Sequence, residues 1–172
     1  TWHEVLCDAA VIATDRRPLQ ALVEGAPWWG GPRWRALVAE QEMAPPFAVW
    51  RLWLDTPVAD GTPPFVGTAA YGLLDNVSIV EQFEEEAADW VAATGGSVVE
   101  LHAYALDPTL PEEAVRADLR AQLARLHPEL DGARVLHEEW LVRQDCGLIS
   151  TAPWEVRPGV VSRYVGLDWP PA

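Results

Sequence analysis

Hydrophobic residues along the chain form short uninterrupted runs in some segments and helical repeats in others. Residues 8–13 and residues 47–54, the latter apolar except at Arg51, each have the length and pattern of a strand. Successive apolar side chains are typical of strands that are buried on both faces. We therefore predict two doubly buried strands, the first of them in a parallel sheet.

Helical spacing and helix-start signals predict four helices. Three lie near residues 18–24, 32–43 and 84–94, and the fourth has an apolar face formed by Val115, Leu119, Leu123 and Leu126. Further strands are expected at residues 65–70, 77–80, 98–105 and 133–142. The last two strands flank the fourth helix, which is the order of a βαβ unit, whose strands normally run parallel. The predicted fold class is α/β (α+β), a mixed sheet with helices.

Composition and charge narrow the classes of function. The 172 residues carry 12 basic and 26 acidic side chains, a formal net charge of -14, which disfavours binding to nucleic acid. All the basic residues are arginine, so the chain offers no lysine for Schiff-base or general-base catalysis. No apolar run approaches the roughly 20 residues of a membrane-spanning helix. The ten tryptophans provide rigid aromatic surface for a core or for an apolar ligand.

Two pairs of residues could carry metal or acid-base chemistry. Glu100 and His102 are two residues apart on one predicted strand, as are His137 and Glu139 on another, so each pair shares a face. If the two faces met, imidazoles and carboxylates would converge, as in a zinc or iron site. The alternative, which we favour, is that these residues form the polar side of two strands and bind no metal.

Arg51 and the tryptophans also have two interpretations. Arg51 would either anchor an anionic group or form a buried salt bridge with carboxylates, and the salt bridge is the more frequent arrangement. Trp28, Trp29, Trp34, Trp50, Trp53 and Trp90 would either line an apolar pocket or fill the core. Glu84–Glu86 predict the solvated first turn of a helix. We take Arg51, Trp53 and His102 as candidate substrate-binding residues.

Several segments together resemble one enzyme family. They read EVLCDAAVIATD at residues 4–15, APPFAVWRLWLD at 44–55, LLDNVSIVEQFEEEAADWVAATGGSVVELHAYAL at 73–106 and WEVRPGV at 154–160. Over most of its length the chain resembles the carotenoid desaturase and isorenieratene synthase (carotene desaturase/methyltransferase) family of FAD-dependent oxidoreductases, within the flavin amine oxidase superfamily.

The resemblance implies that the chain is mainly the substrate-domain portion of a two-domain flavoprotein. Residues 1–15 would be a strand returning from the FAD-binding domain, 16–144 the substrate-binding domain, and 145–172 a segment leading back to the FAD-binding domain. FAD would be the cofactor, approached by Ala13 and Thr14. Asp168 would be a C-terminal contact, although Leu167 stands where the family has glycine. The family pattern identifies no catalytic acid or base.

The function that the resemblance implies is desaturation or aromatisation of the ring of a carotenoid-like polyene, with methyl migration as an open possibility. The partner would be a hydrophobic small molecule and not nucleic acid. We expect a cytoplasmic protein that contacts membrane surfaces transiently to collect its substrate. A non-catalytic lipid- or polyene-binding module and a metal-dependent enzyme are the two alternatives.

Overall fold

A computed structural model describes residues 3–68 and 72–147 of the chain. The chain divides into two compact units, one from Pro45 to Gln144 and one formed by the segments on either side of it. Every residue from 148 onward, including Asp168, lies outside the described residues. The predicted connecting character of the C-terminal tail therefore stays a prediction.

The smaller unit contains two helices, α1 (Arg16–Gly25) and α2 (Pro32–Ala39). Pro32 is the first residue of α2, where its fixed φ favours helix and its missing N–H loses no bond. The side-chain amide of Gln20 donates to the carbonyl oxygens of Val38, at 2.9 Å, and Gln41, at 3.3 Å, and so ties α1 to the end of α2. Both predicted helices are thus confirmed.

The strand predicted at residues 8–13 does not form, and all six residues are exposed. A strand of a parallel sheet is stable only when neighbouring strands satisfy its backbone groups. The described residues provide no such neighbours for this segment, so its apolar side chains do not define a strand here. The prediction was wrong for this structure.

The larger unit is a five-stranded sheet with two helices. The elements are β1 (Phe47–Leu54), β2 (Phe65–Gly67), β3 (Asn76–Ile79), α3 (Glu85–Thr94), β4 (Ser97–Ala103), α4 (Glu112–Leu126) and β5 (Val135–Arg143). The strand order is β2-β3-β4-β1-β5, and every neighbouring pair is antiparallel. Helices and strands are combined as the predicted α/β (α+β) class requires, but the strand pairing is not mixed.

The predicted βαβ unit is split by another strand. β4 and β5 both pair with β1 in the antiparallel sense, so they point in the same direction, as expected. They are not neighbours, because β1 lies between them. This arrangement brings the side chains of β1 between those of the two strands on which the candidate polar residues lie.

β1 alternates in burial, contrary to the prediction that both of its faces are buried. Ala48, Trp50, Leu52 and Leu54 are buried, whereas the four residues that alternate with them, beginning with Phe47, are half-buried. The buried face packs in the main core with residues of α4 such as Leu119 and Leu123. Each fully buried Leu contributes about 2 kcal/mol from removal of its apolar surface from water. The opposite face of β1 has only partial cover, which explains the alternation.

α3 provides that partial cover at one end of the sheet. Trp53 and Trp90 pack there in a second cluster around the buried residues Val80, Ala87 and Val98. The helix ends at Gly95, whose left-handed φ of +74° favours glycine, and Gly96 then lies against the backbone of β1. Within this unit, Trp50 fills the main core whereas Trp53 and Trp90 pack in the second cluster, so these three tryptophans do not line one pocket. Trp28, in the smaller unit, is 84% exposed.

β5 is an edge strand with an unusual exposure. Eight of its nine residues are exposed, and only Trp140 is half-buried. Its inner edge pairs with β1, and no strand within the described residues pairs with its outer edge. At the other edge, β2 ends at Gly67, short of the predicted residue 70, and residues 69–71 are outside the description. No helix in the described ranges combines the length and apolarity that crossing a membrane requires.

Candidate functional site

The candidate site lies on the half-covered face of the sheet, which we call the open face. It carries residues that alternate with the buried core positions of β1, β4 and β5. Arg51 pairs directly with Glu100 on one side and with Glu139 on the other, so these three side chains share this face. Val49, Trp53, His102, His137 and Leu141 are also on it, by the same strand register. All three candidate substrate-binding residues are therefore on one surface.

Arg51 is held by two carboxylates. Its guanidinium makes two hydrogen bonds to Glu84, at 2.8 and 3.1 Å, and contacts Glu100 Oε2 at 2.7 to 2.8 Å. A guanidinium with both partners in place has little capacity left for an anionic ligand. The structure therefore favours the salt-bridge interpretation of Arg51. Glu84, which the sequence indicated as a solvated residue at a helix start, is a partner in this ion pair.

A line of hydrogen bonds continues from Glu100 along β4. Glu100 Oε1 lies 2.8 Å from His102 Nε2, and His102 Nδ1 lies 2.8 Å from the Tyr104 hydroxyl. The side-chain amide of Asn76 donates to the same hydroxyl oxygen at 3.3 Å. Since an ionised Glu100 can only accept, Nε2–H of a neutral His102 donates to it, and Nδ1 accepts the proton of Tyr104. The assignment follows from this network.

Asn76 is unusual because it is buried with one polar atom unsatisfied. Its side chain pairs across the sheet with His102 and is only 7% exposed. Within the described residues its Oδ1 has no hydrogen-bond partner. A buried acceptor without a donor costs about 1–3 kcal/mol, so it requires an explanation. The unsatisfied oxygen belongs to the amide whose nitrogen contacts Tyr104.

Apolar side chains surround this polar line. The rings of Phe47 and Tyr104 are 5.9 Å apart, and Tyr104 is 47% exposed. Val49 lies between His102 and Leu141 in the strand register, and Leu141 is 50% exposed. The open face thus presents a phenol within an apolar surface. This arrangement offers apolar contact surface with one hydroxyl in it.

The less favoured interpretation of the two His–Glu pairs, a shared metal site, is not supported by their geometry. Glu100, His102, His137 and Glu139 do share the open face, as the period of two predicted, but β1 separates the pairs. Arg51 lies between the two glutamates, and the ring of Trp53 is 4.7 Å from that of His137. A cation such as Arg51 at the centre opposes binding of a metal cation. Across the described ranges, no three His, Cys, Asp or Glu residues are grouped to hold a metal ion.

The structure describes two of the three candidate flavin contacts, Ala13 and Thr14. Ala13 and Thr14 are exposed and lie in no helix or strand. Asp15 follows them as the N-cap of α1, and no glycine-rich turn leads into that helix. A carboxylate that precedes a helix without capping it would still repel a pyrophosphate at that N-terminus. The described residues therefore do not fit a dinucleotide site by themselves, and Asp168 lies outside them.

Acid titration of Glu100 gives a first test of the network. The hydrogen bond with His102, followed by the Arg51 guanidinium, lowers the pKa of Glu100 from 4.5, although burial opposes this. A lowered folded-state pKa means that the stability contribution is complete above about pH 4.5 and is lost as the pH falls through the folded-state value. We expect Glu100→Gln to cost about 2 kcal/mol near neutral pH, and progressively less on acidification. Urea unfolding at a series of pH values measures this difference.

Glu81→Gln is the matched control. Burial raises the pKa of Glu81, whose Oε2 accepts the backbone N–H of Val98 at 3.0 Å. Its contribution to stability is therefore present at low pH and lost as the pH rises through the folded-state pKa. The difference between Glu81→Gln and wild type should change with pH in the opposite direction. The same slope for both variants would contradict the assignment of Glu100.

Two residues of this network were missed by the sequence analysis. Tyr104 follows His102 at the same spacing of two that relates His102 to Glu100. The triplet of alternating polar residues was therefore visible in the sequence. Asn76 gave no such signal, because its place beside Tyr104 depends on the pairing of β3 with β4.

Comparisons with known proteins place these observations in context. No protein-family model matches the chain. The chain is 48% identical over 157 residues to a carotenoid phi-ring synthase from Streptomyces griseus, a match that covers 90% of this chain and 30% of that protein. It is 33% identical over 175 residues to a carotenoid phi-ring synthase from Chlorobaculum tepidum, covering 98% and 27%.

Among solved structures, a protein from Pyrococcus furiosus matches with a TM-score of 0.47 and 11% identity, over 69% of this chain and 28% of that one. The chain spans less than a third of the length of either curated relative. The resemblance to proteins of carotenoid modification is confirmed by these relatives, and the flavin dependence stays a prediction. The chain is therefore similar, over most of its length, to one segment of the carotenoid phi-ring synthases.

Proposed function

We propose that this chain is part of an enzyme that modifies the ring of a carotenoid. The observation that carries the proposal is the 48% identity over 157 residues to the Streptomyces griseus carotenoid phi-ring synthase. Because the chain accounts for 30% of that protein, the activity would belong to a longer polypeptide. The reaction is an oxidation of the ring, either desaturation alone or desaturation with methyl migration.

The open face of the sheet would provide part of the substrate surface. Phe47, Val49, Tyr104 and Leu141 present aromatic and aliphatic groups along it, two of them about half exposed. A polyene has no polar groups to recognise, so its binding depends on contact with such apolar surface and on exclusion of water. In this proposal Trp53 and His102 border the substrate surface, and Arg51 fixes Glu100 instead of touching the substrate.

FAD is the cofactor that we propose from the family resemblance, and its chemistry is the acceptance of a hydride. The exposed positions of Ala13 and Thr14 and the carboxylate of Asp15 do not make a flavin site within the described residues. Collection of substrate by transient contact with a membrane surface is a further part of the proposal.

The test is conversion of a cyclic carotene by the intact polypeptide that contains this chain. We expect expression in a carotene-producing bacterium to yield a pigment that has lost hydrogen from one or both end rings, detected by chromatography and mass spectrometry. The purified protein should show a flavin spectrum that bleaches when carotene is added without oxygen. Unchanged pigment in cells that contain folded protein would contradict the proposal. Tight binding of carotene without conversion would favour the polyene-binding module.

A further inference from the structure

The line from Glu100 through His102 to Tyr104 is built like a proton-transfer site. A carboxylate oxygen, an imidazole and a hydroxyl follow one another at 2.8 Å and 2.8 Å on one face of a strand. In hydrolytic triads, a carboxylate likewise orients a histidine and stabilises the imidazolium that forms when the histidine takes a proton from a hydroxyl. Here the hydroxyl is a phenol whose side chain is 47% exposed.

The charged groups at the Arg51 end of this line of hydrogen bonds carry one net negative charge, which a proton on His102 would neutralise. Arg51 carries one positive charge, and its partners Glu84 and Glu100 carry two negative charges. An imidazolium at His102 would lie 2.8 Å from Glu100 Oε1, and it would balance the remaining negative charge. Arg51 in turn holds Glu100 in place through its other carboxylate oxygen. The remaining acid near Tyr104 is Asp75, which accepts the backbone N–H of Tyr104.

The unsatisfied oxygen of Asn76 supports a site at the same place. Asn76 Nδ2 donates to the Tyr104 hydroxyl, and Oδ1 of the same buried amide lacks a partner within the described residues. An unsatisfied buried polar group in a native structure calls for an explanation, and a catalytic role at the same place is one. The amide and the imidazole thus contact the phenol oxygen together.

We propose that Tyr104 is a catalytic residue that takes a proton from the substrate ring and passes its own proton to His102, while Glu100 positions the imidazole. This inference rests on the proposed function. Conversion of a C–C bond of the ring to C=C removes one hydrogen with its electron pair and another as a proton. The first goes to a two-electron hydride acceptor and leaves a carbocation conjugated with the polyene.

The second C–H bond then breaks, and its electrons form the new C=C bond. The proton binds the Tyr104 oxygen as the phenolic O–H proton transfers to His102 Nδ1, so the phenol is regenerated and the imidazole becomes imidazolium. A phenol is a weak base, but a proton next to a carbocation is acidic enough for such a group. A positioned acid-base group of this kind contributes typically 10²- to 10⁴-fold to a rate.

The experiment compares Tyr104→Phe with wild type in the intact enzyme. Phenylalanine keeps the ring contact with Phe47 and removes only the hydroxyl. We expect kcat for loss of ring hydrogen to fall on the order of 100-fold with little change in KM. Phe65→Leu, which changes an exposed aromatic residue on the far edge strand β2, is the control and should retain activity.

A second readout tests the hydrogen-bond line without turnover. The ¹⁵N resonances of the His102 ring should identify the Nε2–H tautomer in wild type, and the Nδ1 resonance should move in Tyr104→Phe because it loses its donor. A wild type that leaves cyclic carotenes unchanged would overturn the proposed function and this inference together. An active wild type whose Tyr104→Phe variant reacts equally fast, or an unmoved Nδ1 resonance, would overturn the inference alone.

Discussion

Replacing Gly96 with alanine is expected to destabilise the protein by about 3 kcal/mol, because the added methyl group has no space. A Cβ at this position would lie 2.0 Å from the backbone oxygen of Leu54 and 3.1 Å from the ring of Trp90. The ring of Trp90 could move by a few tenths of an ångström, but the Leu54 carbonyl is part of β1 and cannot move without disturbing the sheet. Urea or thermal unfolding of the two proteins measures the loss.

Gly25→Ala is the matched control for this substitution. Gly25 ends α1, and no atom lies within 4 Å of a Cβ built on it. Alanine has a higher helix propensity than glycine, so this variant should be as stable as wild type or slightly more stable. If Gly96→Ala unfolded at the same urea concentration as Gly25→Ala, the result would contradict the close contact between Gly96, after the end of α3, and the backbone of β1.

Replacing Arg51 with methionine is expected to cost about 2 kcal/mol, the second large effect. Methionine keeps the aliphatic contacts, but it leaves Glu84 and Glu100 facing each other without the shared cation. Breaking a fully buried ion pair costs about 3–5 kcal/mol, and the effect is smaller here because the side chains of Arg51 and Glu84 are 25% and 37% exposed. Urea titration of the variant and the wild type measures this difference in the free energy of unfolding.

Arg134→Met is the control for Arg51. Arg134 also contacts a carboxylate, Asp55 at 3.3 Å, but its side chain is 75% exposed. Exposed pairs of this kind contribute little to stability. The two variants remove the same charge, so a difference between their free energies of unfolding shows how much the partial burial of the Arg51 ion pair contributes. Equal stability of the two variants would show that Arg51 is a surface arginine whose contacts are replaced by water.

The periodic elements of the larger unit could be predicted from the sequence because their signals are local. The helical spacing that identified α3 and α4 and the apolar run that identified β1 each depend on residues close together in the chain. The period of two also placed Glu100 and His102 on one face. The one-sided burial of β1 could not be predicted, since it depends on how much of the sheet α3 covers.

The errors at residues 8–13 and at Glu84 have the same origin. An apolar run is a strand only where other strands meet it, and the run at residues 8–13 has no such neighbours among the described residues. Glu84 precedes a helix, where acid is usually solvated, but the tertiary fold brings it to Arg51, which is 33 residues away in the chain. Contacts between distant segments decided both outcomes, and a local pattern contains no information about them.

The exposure of β5 has a consequence for handling this chain in solution. Among the residues that the structure describes, no strand pairs with its outer edge over these nine residues, and Leu136, Leu141 and Val142 add apolar surface beside it. Soluble proteins usually shield such an edge with proline, lysine or a bulge. β5 contains neither proline nor lysine, and its one irregularity in pairing with β1 lies near its start, between Val135 and His137. Two copies that meet along these edges would continue the sheet from one molecule into the next. Preparations of this chain by itself should therefore form aggregates rich in intermolecular β-structure as the concentration rises, and glutamate or lysine in place of Leu141 should delay them.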